Sequence, residues 1–135
     1  MSTGKAYQVP PEHRLHPRYA NEALRAGEAE AVLSAADLIY PLFVTDGRDA
    51  REAITAMPGQ FRWSPSRLEE VVGPAVEKGL RSVILFGVPE EGKDACGSMA
   101  DADHTPAIAG VRILRETFND LEVITDVCMC AYTDH

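Results

Sequence analysis

From Asp37 onward the chain carries three short, largely apolar runs: Leu38–Val44, Ser82–Phe86 and Leu121–Val127. Each is rich in strand formers and near-continuous rather than alternating, the pattern of parallel strands covered on both faces. Thr45-Asp46-Gly47 closes the first run, and Gly87 and Pro89 close the second. Between the runs the apolar period lengthens to that of a helix. Leu68, Val71, Val72, Ala75 and Val76 follow Ser64-Pro65, an N-cap residue and a proline suited to the first helical position, and Gly79 stops the segment. A second helix is expected from about Pro106 to Phe118, with Ile108, Val111, Ile113, Leu114 and Phe118 giving it a broad apolar side. Strand, helix, strand, helix, strand is the order of an α/β fold.

The long connections Asp46–Trp63 and Val88–Thr105 both follow strands, where α/β proteins keep their sites. Residues 1–36 differ from the rest. They hold Pro10, Pro11 and Pro17, much charge and few large apolar side chains, and read as an extended arm followed by a polar helix over Asn21–Leu33. Such an arm either packs on another surface or frays. Three parallel strands leave two open edges, and the chain ends at His135 directly after the third. Residues 37–135 are therefore expected to form part of a larger parallel architecture.

Composition narrows the function classes. The 135 residues include 21 acids and 13 bases, a net charge of −8 with no basic cluster, so neither nucleic acid nor an anionic membrane surface is an expected partner. The apolar stretch Leu38–Val44 is far shorter than the ~20 residues that span a bilayer. The first residues lack the apolar core of a secretory signal. Three cysteines, two of them one residue apart, make a poor disulfide framework and fit a reducing, cytoplasmic setting.

Asp126-Val127-Cys128-Met129-Cys130 is the strongest candidate for chemistry. Strand side chains alternate with period two. If the extended conformation continues, Asp126, Cys128 and Cys130 face one side, and Val127 and Met129 the other. Two thiols and a carboxylate then converge at a strand end, a donor set suited to zinc. The alternative is two small residues packed at a strand end, since free cysteine is often buried, with Asp126 capping a loop or helix.

Several segments together resemble the 5-aminolevulinate dehydratase (porphobilinogen synthase) family. They are Asp37–Val44, Met57-Pro58-Gly59, Leu85-Phe86-Gly87-Val88-Pro89, Lys93-Asp94 with Gly97-Ser98, and Asp126–His135, in the family's order and spacing. Ahead of them, the arm matches loosely, chiefly at His16-Pro17. The resemblance implies a (β/α)8 TIM barrel of which these are the first three β/α units, preceded by an arm through which the intact protein forms a homo-oligomer. It implies condensation of two 5-aminolevulinate molecules to porphobilinogen, in tetrapyrrole synthesis. It also implies a zinc-type member, with Cys128 and Cys130 as metal ligands, Zn2+ as Lewis acid and Asp126 as the active-site aspartate.

The family's third zinc cysteine follows a His-Gly-His-Cys-Gly stretch, and this chain ends at its first histidine. The family's two Schiff-base lysines lie further downstream. Lys5, Lys78 and Lys93 match neither, so the isolated chain is expected to be inactive. Cys96 reads as an exposed loop thiol, and His104 as a helix cap or a solvated side chain. For His135 zinc ligation is the weaker reading, since cysteines rather than that histidine bind zinc in the family. Phe61 and Trp63 read as packing residues, Met57-Pro58-Gly59 as a turn, and Phe86 as either pocket lining or core. Two other functions are weighed: a truncated, non-enzymatic product that binds full-length subunits through its arm and open sheet edge, and an unrelated small zinc or ligand-binding protein, against which the motif register argues.

Overall fold

A computed structural model describes residues 22–135. The chain divides into two compact units, Met1–Leu33 and Ser34–His135. Most of the expected arm, His16-Pro17 included, lies outside the described residues. In the first unit, helix α1 covers only Glu22–Gly27 instead of continuing to Leu33. None of its residues is buried, and a helix this short gains little without a packed face.

The second unit is a mixed α/β sheet. Its strands are β1 (Ile39–Val44), β2 (Arg51–Ala53), β3 (Phe61–Trp63), β4 (Ser82–Gly87) and β5 (Glu122–Thr125). The order across the sheet is β2-β3-β1-β4-β5. β1 and β4 pair in parallel along their whole length, from Ile39 opposite Ser82 to Val44 opposite Gly87. β4 and β5 pair in parallel from Ser82 opposite Glu122 to Leu85 opposite Thr125. These three strands are the three expected apolar runs.

Helix α2 (Leu68–Glu77) connects β3 to β4, and α3 (Pro106–Thr117) connects β4 to β5. A single 3-10 turn, Pro65–Arg67, with Ser64 at its N-cap position and the Ser64 hydroxyl on Ser66 Oγ, leads into α2. At its other end, the Leu80 amide donates to the Ala75 carbonyl and the Gly79 amide to the Val76 carbonyl. Gly79 has φ +99°, the left-handed backbone such an ending requires. β1, β4 and β5 lie side by side in that order, so these three strands are wound in one direction, while β2 and β3 extend the sheet on the other side of β1. Right-handed crossovers then place both helices on the same face.

That face holds the core. Leu42, Val44, Val83 and Leu85 of the sheet pack with Leu68, Val72 and Leu114 of the helices, with Tyr40 and Val123 at the margin. The expectation of strands covered on both faces therefore does not hold within this unit. On the opposite face Ile39 is 53% exposed, Phe43, Ile84, Phe86 and Ile124 are half-buried, and the Phe43 and Phe86 rings stack at 5.5 Å.

The connection Asp46–Trp63 is not a plain loop. β2 and β3 form an antiparallel pair, with Glu52 opposite Arg62, around a turn at Met57-Pro58-Gly59. β3 then pairs in parallel with the end of β1, Phe43 opposite Arg62 and Val44 opposite Trp63. Phe61 and Trp63 do pack: their rings lie 5.5 Å apart, and the Arg51 guanidinium sits 4.3 Å above Phe61.

Candidate functional site at the strand C-termini

Because β1, β4 and β5 are parallel, the segments that leave Val44, Gly87 and Thr125 emerge at one end of the sheet. They are tied to each other there. The Glu90 amide donates to Asp46 Oδ1 at 2.9 Å, joining the first two segments. The second and third meet where Asp94 pairs with Thr133: the Asp94 amide donates to the Tyr132 carbonyl and the Asp134 amide to the Asp94 carbonyl, each at 3.3 Å.

β5 ends at Thr125. The Asp126 amide still donates to the Leu85 carbonyl at 3.1 Å, the last bond to β4. The chain then leaves the extended conformation, and amides of Tyr132 and Thr133 both donate to the Met129 carbonyl. Strand alternation through Cys130 is thus not what brings the thiols together; the turn does so. Cys128 Sγ and Cys130 Sγ lie 2.7 Å apart, both exposed and both free thiols. Asp126 Oδ1 accepts the Cys128 amide at 3.2 Å, so the carboxylate braces the backbone of the thiol segment. Val127 is 90% exposed.

The neighbouring Cys128 sulfur, first as hydrogen-bond partner and then as a charge, pushes the Cys130 thiol above its ordinary value. Two sulfurs this close do not ionise together without a cation to offset their repulsion. Zinc is the metal the motif resemblance implies, and its fit to this donor set is partial. The donors are soft and exposed, as zinc requires. Two thiolates on one tetrahedral zinc, each at ~2.3 Å, stand roughly 3.7 Å apart, so these sulfurs would open by about 1 Å. Among the described residues no grouping of three or more His, Cys, Asp or Glu side chains could hold a metal. The remaining donors would have to come from elsewhere.

Cys128 and Asp126 also line a cleft of 570 Å³ beside α3, with Ile108, Val111, Arg112 and Tyr132. The other sequence candidates do not join the thiols. Cys96 is exposed in the loop after β4, its amide donating to Asp94 Oδ1. Thr105, not His104, occupies the N-cap of α3. His135 Nδ1 lies 3.6 Å from Asp134 Oδ1. Lys78 caps the end of α2, and Lys93 is exposed.

The residues that hold the turn lie outside the chemical candidates that the sequence offers. Asp94 Oδ1 accepts the amides of Cys96 (2.9 Å) and Ser98 (3.0 Å). Bonds from Ser98, and more weakly from Cys96 and Gly97, hold the Asp94 carboxyl below its ordinary value. Tyr132 is buried against Gly87, where an added methyl would coincide with the tyrosine hydroxyl. The signal was present in the Lys93-Asp94, Gly97-Ser98 motif, but only the fold reveals what it touches.

The family model for delta-aminolevulinic acid dehydratase matches residues 12–135. The chain belongs to the delta-aminolevulinic acid dehydratase family. It is 52% identical over 121 residues to the delta-aminolevulinic acid dehydratase of Schizosaccharomyces pombe, covering 90% of this chain and 37% of that protein. It is 47% identical over 127 residues to the Bos taurus dehydratase, covering 93% of this chain and 39% of that one. Among solved structures it is similar to the delta-aminolevulinic acid dehydratase (porphobilinogen synthase) of Toxoplasma gondii ME49, crystallised with the reaction product porphobilinogen. There the TM-score is 0.77 at 29% identity, over 95% of this chain and 35% of that one. The chain thus spans less than two fifths of the length of these dehydratases.

Proposed function

We propose that this chain supplies the first three β/α units, and two of the metal-binding sulfurs, of a zinc-type porphobilinogen synthase. The whole protein would condense two 5-aminolevulinate molecules to porphobilinogen for tetrapyrrole synthesis, acting in the cytoplasm as a homo-oligomer held through residues 1–36. The observation that carries this reading is the Cys128–Cys130 sulfur pair, 2.7 Å apart at the end of β5, in a chain of this family. The one-directional winding of β1, β4 and β5 supports the barrel assignment, since a barrel wall continues past β5 without reversing. The Toxoplasma gondii neighbour, crystallised with porphobilinogen, supports a small-molecule substrate.

In this reading Cys128 and Cys130 hold the zinc, with further donors from outside the described residues. Bound zinc supplies Lewis-acid polarisation of a substrate carbonyl or activation of water. Asp126 fixes the thiol segment through the Cys128 amide and offers a carboxylate oxygen to a proton released beside the metal. The 135 residues alone should not turn over substrate. Lys78 caps a helix and Lys93 is exposed, and a Schiff-base lysine needs a desolvated pocket.

Two experiments test this. Reduced protein titrated with Co2+ should develop sulfur-to-cobalt charge-transfer absorbance that Cys128→Ser with Cys130→Ser abolishes; an undiminished signal in the double variant removes the metal assignment. Protein free of endogenous dehydratase should form no porphobilinogen from 5-aminolevulinate, and robust turnover would overturn the division of labour. The open outer edge of β5 and the bare face around Ile39 favour a second reading, a non-enzymatic piece that binds full-length subunits. Co-purification with a full-length dehydratase, lost when Ile39 and Ile124 on the bare face are replaced by lysine, would support it.

A further inference from the structure

We propose that Asp94 is a positioning residue for the thiol pair, setting the separation of the Cys128 and Cys130 sulfurs through a clamp between the loop after β4 and the turn after β5. The inference deepens the metal-centre reading and takes its purpose from it, but its geometry needs no metal.

The clamp has two halves joined at one residue. Asp94 folds its own loop by accepting the Cys96 and Ser98 amides on Oδ1, and the Gly97 amide donates to the Asp94 carbonyl. The same residue's backbone grips the other loop, bonding the Tyr132 carbonyl and the Asp134 amide on either side of Thr133. Folding the Asp94–Ser98 turn presses Gly97 against the residue between the two cysteines. Gly97 has φ +65°, and a Cβ built there would lie 2.5 Å from Met129 Cε, 3.5 Å from Thr133 Cγ2 and 3.7 Å from Tyr132 Cβ. The positive φ favours glycine here, and the absent side chain leaves room for the tip of Met129.

The Met129 side-chain tip rests on Gly97, while its backbone is held through its carbonyl by the amides of Tyr132 and Thr133, the residues that Asp94 grips. Cys128 and Cys130 flank it directly, so where Met129 sits fixes where both sulfurs start. Their own hydrogen bonds are local, to Asp126 and to each other. Without Asp94 the Cys96–Ser98 amides lose their acceptor, Gly97 moves, and the seat of Met129 opens.

Separation of two thiols can be read without metal by dibromobimane, which fluoresces on bridging a close pair. The full chain carrying Cys96→Ser serves as the parent, and the bridging rate is divided by the rate of single-thiol alkylation with iodoacetamide. General loosening raises both rates; loss of proximity lowers only the ratio. Asp94→Ala should lower it at least about tenfold, the order expected from losing a single hydrogen bond to a carboxylate. Asp94→Asn keeps an oxygen that accepts both amides and should restore most of the ratio. Gly97→Ala should lower it with Asp94 intact.

A parental ratio in Asp94→Ala with unchanged far-UV circular dichroism overturns the proposal. If that variant does not fold, a parental ratio in folded Gly97→Ala does so. The cobalt titration separates this from the metal reading. Cobalt binding indifferent to Cys128 and Cys130, beside a lowered ratio in Asp94→Ala, leaves the clamp standing and removes the metal. Cobalt binding that needs both cysteines, beside a parental ratio, does the reverse.

Discussion

The helix-covered face of the sheet and the thiol segment at its end are held by different forces. Leu42, Val44, Val83 and Leu85 meet Leu68, Val72 and Leu114 with almost no exposure, and their stability comes from removing apolar surface from water. Asp126 through Cys130 are all exposed. What holds them is a handful of hydrogen bonds, most of them local to the turn, a buried tyrosine, and two backbone bonds and a glycine contact from the loop that starts some forty residues earlier at Val88. Burial builds the platform, and loop-to-loop bonding places the chemistry. Damage to either should therefore be separable.

The sharpest break falls on the platform. Leu85→Ala empties a site between β4 and the helices and should cost about 2–5 kcal/mol in urea unfolding. The folded fraction should still show the thiol pair by dibromobimane, and loss of bridging in a folded variant would mean the two regions are not separable. Gly87→Ala acts at the junction. Its methyl takes the place of the Tyr132 hydroxyl, so a smaller cost of about 1–3 kcal/mol is expected, together with a tyrosine whose fluorescence reports exposure. An unchanged tyrosine environment would contradict the packing described here.

Replacing both Cys128 and Cys130 by serine should leave the urea midpoint of the metal-free protein unmoved, because exposed side chains contribute little to the core. A clear fall in midpoint would show that the thiols are structural.

The smallest effect concerns protonation of Asp94. Its carboxyl is held below the ordinary 3.8, chiefly by Ser98. A lowered folded-state value means the loop's contribution is complete above the unfolded value and fades as pH falls through the lower, folded one. The Ser98 amide resonance should titrate with a midpoint below 3.8, and a midpoint above it would show that those bonds do not favour the charged form.

Much of the platform was legible in the sequence because its signals are local. The apolar runs at Ile39–Val44 and Ser82–Gly87, the Ser64-Pro65 start and the Gly79 stop each follow from nearby chemistry. β2 and β3 were not legible, since Arg51-Glu52-Ala53 has no strand pattern and is a strand only because Phe61–Trp63 lies beside it. Continuous apolar strands suggested cover on both faces, whereas the helices lie on one. The thiols do converge, but through a turn at Met129 rather than through strand alternation. Asp94 is the clearest case of what a sequence withholds. Its carboxylate stays within its own loop, and its backbone partners, Tyr132 and Asp134, lie across the fold.

The central claim is that Cys128 and Cys130 are two ligands of one metal centre. X-ray absorption at the zinc edge, on reduced protein loaded with one equivalent of Zn2+, counts those sulfurs directly. Two Zn–S contacts near ~2.3 Å, both lost in the double serine variant, are the expected result. A first shell of nitrogen and oxygen alone, or an unchanged sulfur shell in that variant, would contradict it.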